Sequence, residues 1–410
     1  MSQSDYQVYV GVDWASQTHQ VCVLDRERRR LVERVVPHSG EGLAAFADEL
    51  GAFAPDDPAR IAIAIEVPRG AVVDTLLERG FHVFALNPKQ LDRFRDRHTV
   101  AGAKDDRRDA FVLADSLRTD QPAFRRVQAD HALIVELREL SRVDDDLREE
   151  LIRLSNRLRE QLHRFFPQAL TLCPSADEPW FWALLERAPS PAQAERLSIK
   201  AATAVLKAYR IRRLTAEAVR AALHVPPLRV TPGTVEAATA HIALLLPRLR
   251  LAHSQRTQLG KRLDTLLEQL AEGPPDEHRD VTILRSLPGV GRGVAATVLA
   301  EAARLLAERD YQTLRAQGGS APVTRQSGKT VSVSIRYACN HRLRNAFYHW
   351  ARVSVQIDPH CRAHYDRLRQ RGHRHARALR GVVDRSLGVL MAMLETRTLY
   401  DPARRRPIAA

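Results

Sequence analysis

The chain has 410 residues, with 63 Lys and Arg against 49 Asp and Glu and a formal charge of +14, so two or three domains and a polyanionic partner are expected. With 44% hydrophobic and 27% charged residues, wholesale disorder is excluded. No run approaches the ~20 apolar residues of a membrane span, and Met1 to Asp5 lacks a signal peptide's basic and apolar regions, which predicts a cytoplasmic protein without membrane contact.

The first predicted elements read as α/β. Tyr6 to Val12 alternates as a strand ending in Gly-Val-Asp-Trp, His19 to Leu24 and Leu31 to Val36 are two further short apolar runs, and basic turn residues separate the latter pair. Helical spacing follows over Glu41 to Phe53, then a buried-strand pattern from Arg60 to Glu66, a helix over Ala71 to Arg79, a strand over Phe81 to Leu86 and a helix from Asp105 to Leu117. Three strands, a helix, then alternating strand and helix is the order of a ribonuclease-H-like mixed sheet.

From Leu133 the apolar positions Leu137, Leu140, Val143, Leu147, Leu151, Leu154, Leu158, Leu162 and Phe165 recur at spacings of three and four, and Pro167 ends the run. A second helical stretch, about Val235 to Leu270, is interrupted by Pro247. Such seams predict a central coiled-coil arm, with an ordinary helical bundle equally consistent with the periodicity. Gly273-Pro274-Pro275 marks a linker. Beyond it, Pro288-Gly289-Val290-Gly291 between two apolar-periodic segments predicts the turn of a helix-hairpin-helix, with Gly289, Gly291 and Arg292 placed to meet a phosphate. Arg325-Gln326-Ser327-Gly328-Lys329 is expected to be a loop bearing a hydroxyl among basic groups, and the rest is helical and basic up to a short tail. The expected division is therefore 1–128, 129–275, 276–400 and a tail at 401–410: α/β plus α, a mixed sheet, a helical arm and a mainly helical C-terminal domain.

The charge is unevenly placed. Residues 1–115 hold 15 Lys and Arg against 19 Asp and Glu, whereas residues 311–385 hold 15 against 3. A basic region releases counterions on binding phosphates, so the C-terminal part is expected to bind nucleic acid. Arg325, Lys329, Arg336, Arg342 and Arg344 are its candidate phosphate contacts, and Lys104, Arg107 and Arg108 are candidates in the first region. Tyr337, Phe347, Tyr348 and Trp350 are core residues or base-stacking ones. The four cysteines, Cys22, Cys173, Cys339 and Cys361, are too scattered for a zinc site or a disulfide framework.

Four carboxylates stand at predicted element edges. Asp13 ends the first strand and Glu66 the fourth, side by side in a ribonuclease-H-like sheet, and Asp106 and Asp109 are three apart on one helix face. Four such groups around one site would repel one another unless hard divalent cations, Mg²⁺ or Mn²⁺, bridged them. Taken singly, each is as readily a turn or cap residue. An actin-like ATPase also begins with a Gly-x-Asp strand end, but Trp14-Ala15-Ser16-Gln17 offers no Gly-rich phosphate cradle.

Gly11-Val12-Asp13-Trp14-Ala15, Ile65-Glu66, Lys104 to Ala110, Pro288 to Gly291 and Ser327-Gly328-Lys329 resemble, in order along nearly the whole chain, the DEDD transposases of insertion-sequence family one-ten. The resemblance implies a RuvC-like N-terminal domain, a coiled coil and a C-terminal transposase domain. It further implies a recombinase that acts on donor and target DNA, guided by a structured non-coding bridge RNA, and works as a dimer or tetramer with a composite active site. Asp13, Glu66, Asp106 and Asp109 take the DEDD positions and Ser327 that of a covalent nucleophile toward DNA. Asp105 stands where the family usually has Thr, which makes a fifth carboxylate, expected to be outer-shell or solvent-facing. The alternatives are a RuvC-like structure-specific nuclease using water and a catalytically silent nucleic-acid-binding protein.

Overall fold

The computed structural model describes residues 6–86, 88–97, 105–273, 278–328 and 330–404. Lys104, Lys329, the prolines of the linker and the last six residues of the tail lie outside the described residues. The chain is a mixed α/β protein, mostly helical, with its main sheet at the N-terminal end, and it divides into two compact units, 1–130 and 131–410.

Six strands form the sheet of the first unit: β1 (Val8–Asp13), β2 (Thr18–Asp25), β3 (Arg30–Pro37), β4 (Ile61–Ile65), β5 (His82–Ala85) and β6 (Arg125–Arg126), in the spatial order β3-β2-β1-β4-β5-β6. β1, β2 and β3 pair antiparallel as a meander, while β1, β4 and β5 are mutually parallel. β4 reads Ile-Ala-Ile-Ala-Ile and every residue is buried, as a strand covered on both faces requires. The large residues Ile61, Ile63 and Ile65 pack with α1 (Gly40–Gly51) and α2 (Ala71–Glu78) on one face. Ala62 and Ala64 leave room on the other for α3 (Pro88–Asp96) and α4 (Asp106–Asp120). α1 begins at Ser39, whose hydroxyl accepts from the Gly42 amide, one of the donors a helix start leaves unpaired.

In the second unit two long helices run side by side, α5 (Ala132–Phe165) and α10 (Thr234–Ala271). Ion pairs Glu136–Arg262, Asp144–Arg256 and Glu150–Arg248 join them, with rising numbers on α5 against falling ones on α10, so the pair is antiparallel. α10 continues through Pro247, because Leu245, Leu246 and Leu249 around it are buried and that packing outweighs the lost helical hydrogen bond. Each end of the pair carries its own core. At one end, Leu154 to Phe165 and Ala238 to Leu249 pack with α6 (Pro179–Arg187), α7 (Pro191–Glu195), α8 (Ile199–Ala208) and α9 (Ala216–Leu223). At the other, Leu137 and Leu263 to Leu267 pack with α11 (Asp280–Ser286), α12 (Arg292–Ala307), α13 (Tyr311–Gln317), α14 (His341–Ile357), α15 (Pro359–Gln370) and α16 (His375–Thr396). No helix among the described residues is long and apolar enough to cross a membrane.

The segment expected to be a loop around Ser327 is instead a β-hairpin, β7 (Val323–Ser327) and β8 (Thr330–Ser334). Only residues 330–334, Thr-Val-Ser-Val-Ser, alternate with a period of two; residues 323–327 carry no such pattern, and the basic surroundings obscure the signal.

Candidate functional site

The register of the sheet places the first two carboxylates. Val12 pairs with Ile65 as the last partners of the parallel β1–β4 ladder, so Asp13 and Glu66 follow at adjacent strand ends. Two residues earlier, Gly11 and Ala64 face α4, since Tyr9, Ala62 and Ala64 lie on that side, in one core with Val112, Leu113 and Leu117. Alternation along each strand therefore sends both carboxylates to the α4 side.

α4 brings the other two. Its N-terminal cap is Asp105, exposed, whose carboxylate accepts from the Arg107 amide at 3.2 Å. Asp is among the side chains that serve best at such a cap. Asp106 is exposed at the rim, whereas Asp109, one turn further in, is only 1% exposed. Asp109 takes a two-pronged ion pair from Arg95 of α3, with Nε to Oδ1 at 2.5 Å and Nη2 to Oδ2 at 2.6 Å. Arg95 also donates to Asp92 at 2.5 Å. Burial works against its charge, but Asp109, Asp92 and Glu66 together raise its pKa, which places Glu66 within electrostatic reach of the guanidinium. Sequence reasoning missed both Arg95 and the helix that carries it. Leu91 and Phe94, three apart, were the only periodic apolar signal in α3. A second buried carboxylate of α4, Asp115, receives Arg118 and Arg28 and was missed as well.

The donor set, all carboxylate oxygens on one face, suits a hard divalent cation, and the site already draws a cationic side chain onto Asp109. Among the described residues, three ligand atoms within 4.8 Å of one another occur at Cys173, Asp177 and Glu178, so the four carboxylates do not stand at mutual ligand distance. That other cluster is structural. Glu178 accepts from Arg213 at 2.5 Å and from the Trp180 indole at 2.9 Å, and burial raises the Cys173 thiol, keeping it protonated.

Beside Asp13, exposed Trp14 stacks on the buried ring of His19, whose Nε2 lies 2.9 Å from His38 Nδ1. The Ala15 amide donates to His19 Nδ1 at 3.4 Å, and burial followed by the His38 charge lowers the His19 pKa.

In the second unit Ser327 is exposed at the turn end of the hairpin, where Gly328 takes a left-handed φ of 54°. Cross-strand pairing puts Arg325, Ser327, Thr330, Ser332 and Ser334 on one hairpin face and Val331 and Val333 on the other. Arg325 is exposed there, Arg336 is half-buried, and Arg344 lies 2.9 Å from His341. Arg342 is turned inward. It pairs with Asp145 at 2.6 Å and Glu301 at 3.1 Å and donates to Ser141 at 3.0 Å. Phe347 and Trp350 are core, while Tyr337 and Tyr348 are exposed. In the first unit Arg107 is exposed and Arg108 half-buried.

The Pro288–Gly291 segment turns the chain between α11 and α12. The Trp350 indole and the Ser354 hydroxyl both donate to the Pro288 carbonyl, at 2.9 and 2.7 Å. Gly289 has φ 83°, and Gly291 is the N-terminal cap of α12. Arg292, the first residue of that helix, pairs with Asp264 at 2.8 Å.

Comparison with known proteins shows what the chain is similar to. Residues 10–167 match a transposase family model named for its DEDD carboxylates and for IS110, and residues 281–366 match that of the transposase IS116/IS110/IS902 family. The y4uE protein of Sinorhizobium fredii, named as a transposase, is 50% identical over 212 residues, 51% of this chain and 58% of that protein. The IS117 mini-circle protein of Streptomyces coelicolor, also named as a transposase, is 33% identical over 412 residues, 98% of each chain. The IS110 43.6 kDa protein of the same organism is 30% identical over 97% of this chain and 96% of its own.

Proposed function

The chain belongs to the IS116/IS110/IS902 family of transposases, enzymes that act on DNA, and from that premise we propose that it cuts and rejoins DNA through a covalent serine–DNA intermediate. The observation that carries the reading is the arrival of Asp13 and Glu66 at neighbouring strand ends with Asp109 on the helix packed over them. With Asp106 at the rim, these residues would hold Mg²⁺ or Mn²⁺, and the family's DEDD set implies dependence on a divalent metal. Bound there, such ions stabilise negative charge on a phosphate under attack.

Ser327 is the nucleophile. Its Oγ forms a bond to phosphorus as the bond from phosphorus to one deoxyribose oxygen breaks; the serine gives up its proton and the departing oxygen takes one. The reverse step, with the hydroxyl of a new strand, rejoins DNA without nucleotide hydrolysis. Exposure of Ser327, with Arg325 on the same hairpin face to receive the phosphate, supports this role. The Pro288–Gly291 turn acts as a helix-hairpin-helix, offering the amides at the start of α12 to a phosphate. Gly289, Gly291, Arg292, Arg336 and Arg344 line the DNA path with Arg325.

In this reading a structured non-coding bridge RNA supplies sequence recognition by pairing with donor and target DNA. The α5–α10 pair is a coiled-coil arm of the second unit, the expected domains being 1–128, 129–275 and 276–400, and a dimer or tetramer in the nucleoid forms composite sites from the carboxylates and serine of different protomers.

The test combines labelled donor DNA, the RNA and Mg²⁺ with wild-type chain and with Ser327→Ala. An SDS-stable protein–DNA adduct in the wild type, lost in Ser327→Ala with RNA binding retained, is expected. Adducts persisting in Ser327→Ala would sink the nucleophile. Cleavage without any adduct indicates the water-using nuclease, and indifference to Asp13→Asn a silent binder.

A further inference from the structure

We propose that Arg95 is the resident counter-cation of the carboxylate site: its guanidinium holds Asp109 in the metal-free chain and swings off it when a divalent cation binds. The inference deepens the metal-site reading above and rests on it.

Three observations point this way. First, Arg95 occupies both oxygens of Asp109, the most buried of the four carboxylates, at 2.5 and 2.6 Å. An ionised carboxylate buried with no such partner would carry a large desolvation cost, and the Arg95 guanidinium offsets it while the metal is absent. Second, Glu66 also acts on Arg95. The guanidinium thus lies in the field of two of the proposed ligands, and a divalent ion held by the same groups would meet a positive charge within a few ångströms. Both cannot hold Asp109 fully at once. Third, Arg95 has a second place to go. Its Nη1 already touches Asp92 Oδ1 at 2.5 Å, and Asp92 is exposed one turn back on α3. Rotation of the side chain toward Asp92 frees Asp109 without moving either helix.

The consequence is competition. If the Arg95-paired form dominates the metal-free chain, the apparent metal affinity falls by the fraction of molecules free to bind. The site is thereby kept folded and closed until a cation arrives with enough affinity to displace the guanidinium.

The experiment measures Mn²⁺ binding by calorimetry and the Tm of the full chain, with and without Mn²⁺, for wild type, Arg95→Ala, Arg95→Lys and Arg95→Ala/Asp109→Asn. Arg95→Ala should lower the metal-free Tm by on the order of 5 °C, and saturating Mn²⁺ should restore it. Arg95→Lys, which keeps a charge but loses the two-pronged grip, folds in any case and should bind Mn²⁺ about tenfold more tightly than wild type. The double variant should recover metal-free stability, because no charge is left to orphan, and should bind Mn²⁺ poorly. If Arg95→Lys and wild type bind Mn²⁺ with equal affinity and gain equal Tm, Arg95 stays on Asp109 throughout and the exchange is wrong, while the metal site stands. If wild type and Arg95→Lys both fail to bind Mn²⁺, or bind it unaffected by Asp13→Asn and Glu66→Gln, the metal-site reading falls and the exchange with it.

Discussion

Gly11 lies directly against the backbone of Ala110: a Cβ added at Gly11 would stand 1.9 Å from the Ala110 carbonyl oxygen and 2.7 Å from the Ala114 amide. The missing side chain lets α4 settle on β1, and Asp109, next to Ala110, is carried to the strand end where Asp13 and Glu66 emerge. Gly11→Ala should therefore push the helix outward and cost about 3 kcal/mol of unfolding free energy, at the upper end of overpacking effects. Chemical denaturation checks this against Gly388→Ala, a helical glycine in α16 with nothing within 4 Å of its absent Cβ. The control should be neutral or stabilising by about 0.5–1 kcal/mol. Equal behaviour of the two variants would remove Gly11 from the account of the site.

Arg325 and Arg342 are alike in the sequence and opposite in the fold. Arg342 neutralises Glu301, whose side chain is 8% exposed, and Asp145. Arg342→Ala takes one cation from the buried Glu301 and from Asp145 while Arg142 and Asn340 stay on the first and Arg148 on the second, and should cost about 1.5–3 kcal/mol of stability. Arg325→Ala on the open hairpin should change stability by no more than about 0.5 kcal/mol. It should instead reduce the salt dependence of DNA binding by about one unit of slope. Titrations at several salt concentrations, beside urea unfolding, separate the two roles. A stable Arg342→Ala chain with a reduced slope would reverse the assignment.

The four thiols should divide by burial. Cys22, Cys173 and Cys361 are buried, while Cys339 is half-exposed. Burial pushes the Cys22 thiol up to about 11, and the thiolate is the reactive form. A disulfide reagent at pH 8 should label one cysteine of the native chain quickly, with mass spectrometry placing it at Cys339, and the other three only after denaturation. Rapid labelling of Cys22 would contradict the packing of α4 on β2.

The strands and helices with strong periodicity were legible in the sequence. Gly-Val-Asp at the end of β1 and Ile-Glu at the end of β4 located two carboxylates, and the seam of α5 located its helix almost to the residue. What escaped depends on partners distant in the chain. α3 reads Pro-Lys-Gln-Leu-Asp-Arg-Phe-Arg-Asp, too polar to announce a buried face, and nothing local to Arg95 marks Asp109, fourteen residues away, as its partner. Likewise Arg342 looks like a phosphate contact until α5 and α12 supply Asp145 and Glu301. The hairpin around Ser327 escaped for a different reason, because its exposed strands have no core to enforce a hydrophobic face.

His19 supplies the pH dependence of the segment that follows Asp13. Its Nδ1 accepts from the Ala15 amide, so the proton of the neutral ring sits on Nε2 and is donated to His38. Protonating the ring would set a second N–H against the Ala15 amide, in accord with a folded pKa that burial and His38 lower from the ordinary 6.5. The sign follows from linkage. Between the lowered folded value and 6.5 the unfolded chain binds more protons, so this contribution to stability is complete above 6.5 and declines as pH falls toward the folded value. Urea midpoints of the wild type should accordingly decline on acidification below pH 6.5, and His19→Gln should flatten that decline. Nitrogen-detected NMR should show His19 as the neutral Nε2–H tautomer at pH 6.5, with the Trp14 indole shifting as the ring charges, because the two rings stack 6.4 Å apart. A His19 that is half-protonated at 6.5 would mean that the Ala15 hydrogen bond does not hold the ring neutral and that this linkage vanishes, and half-protonation above 6.5 would reverse its sign.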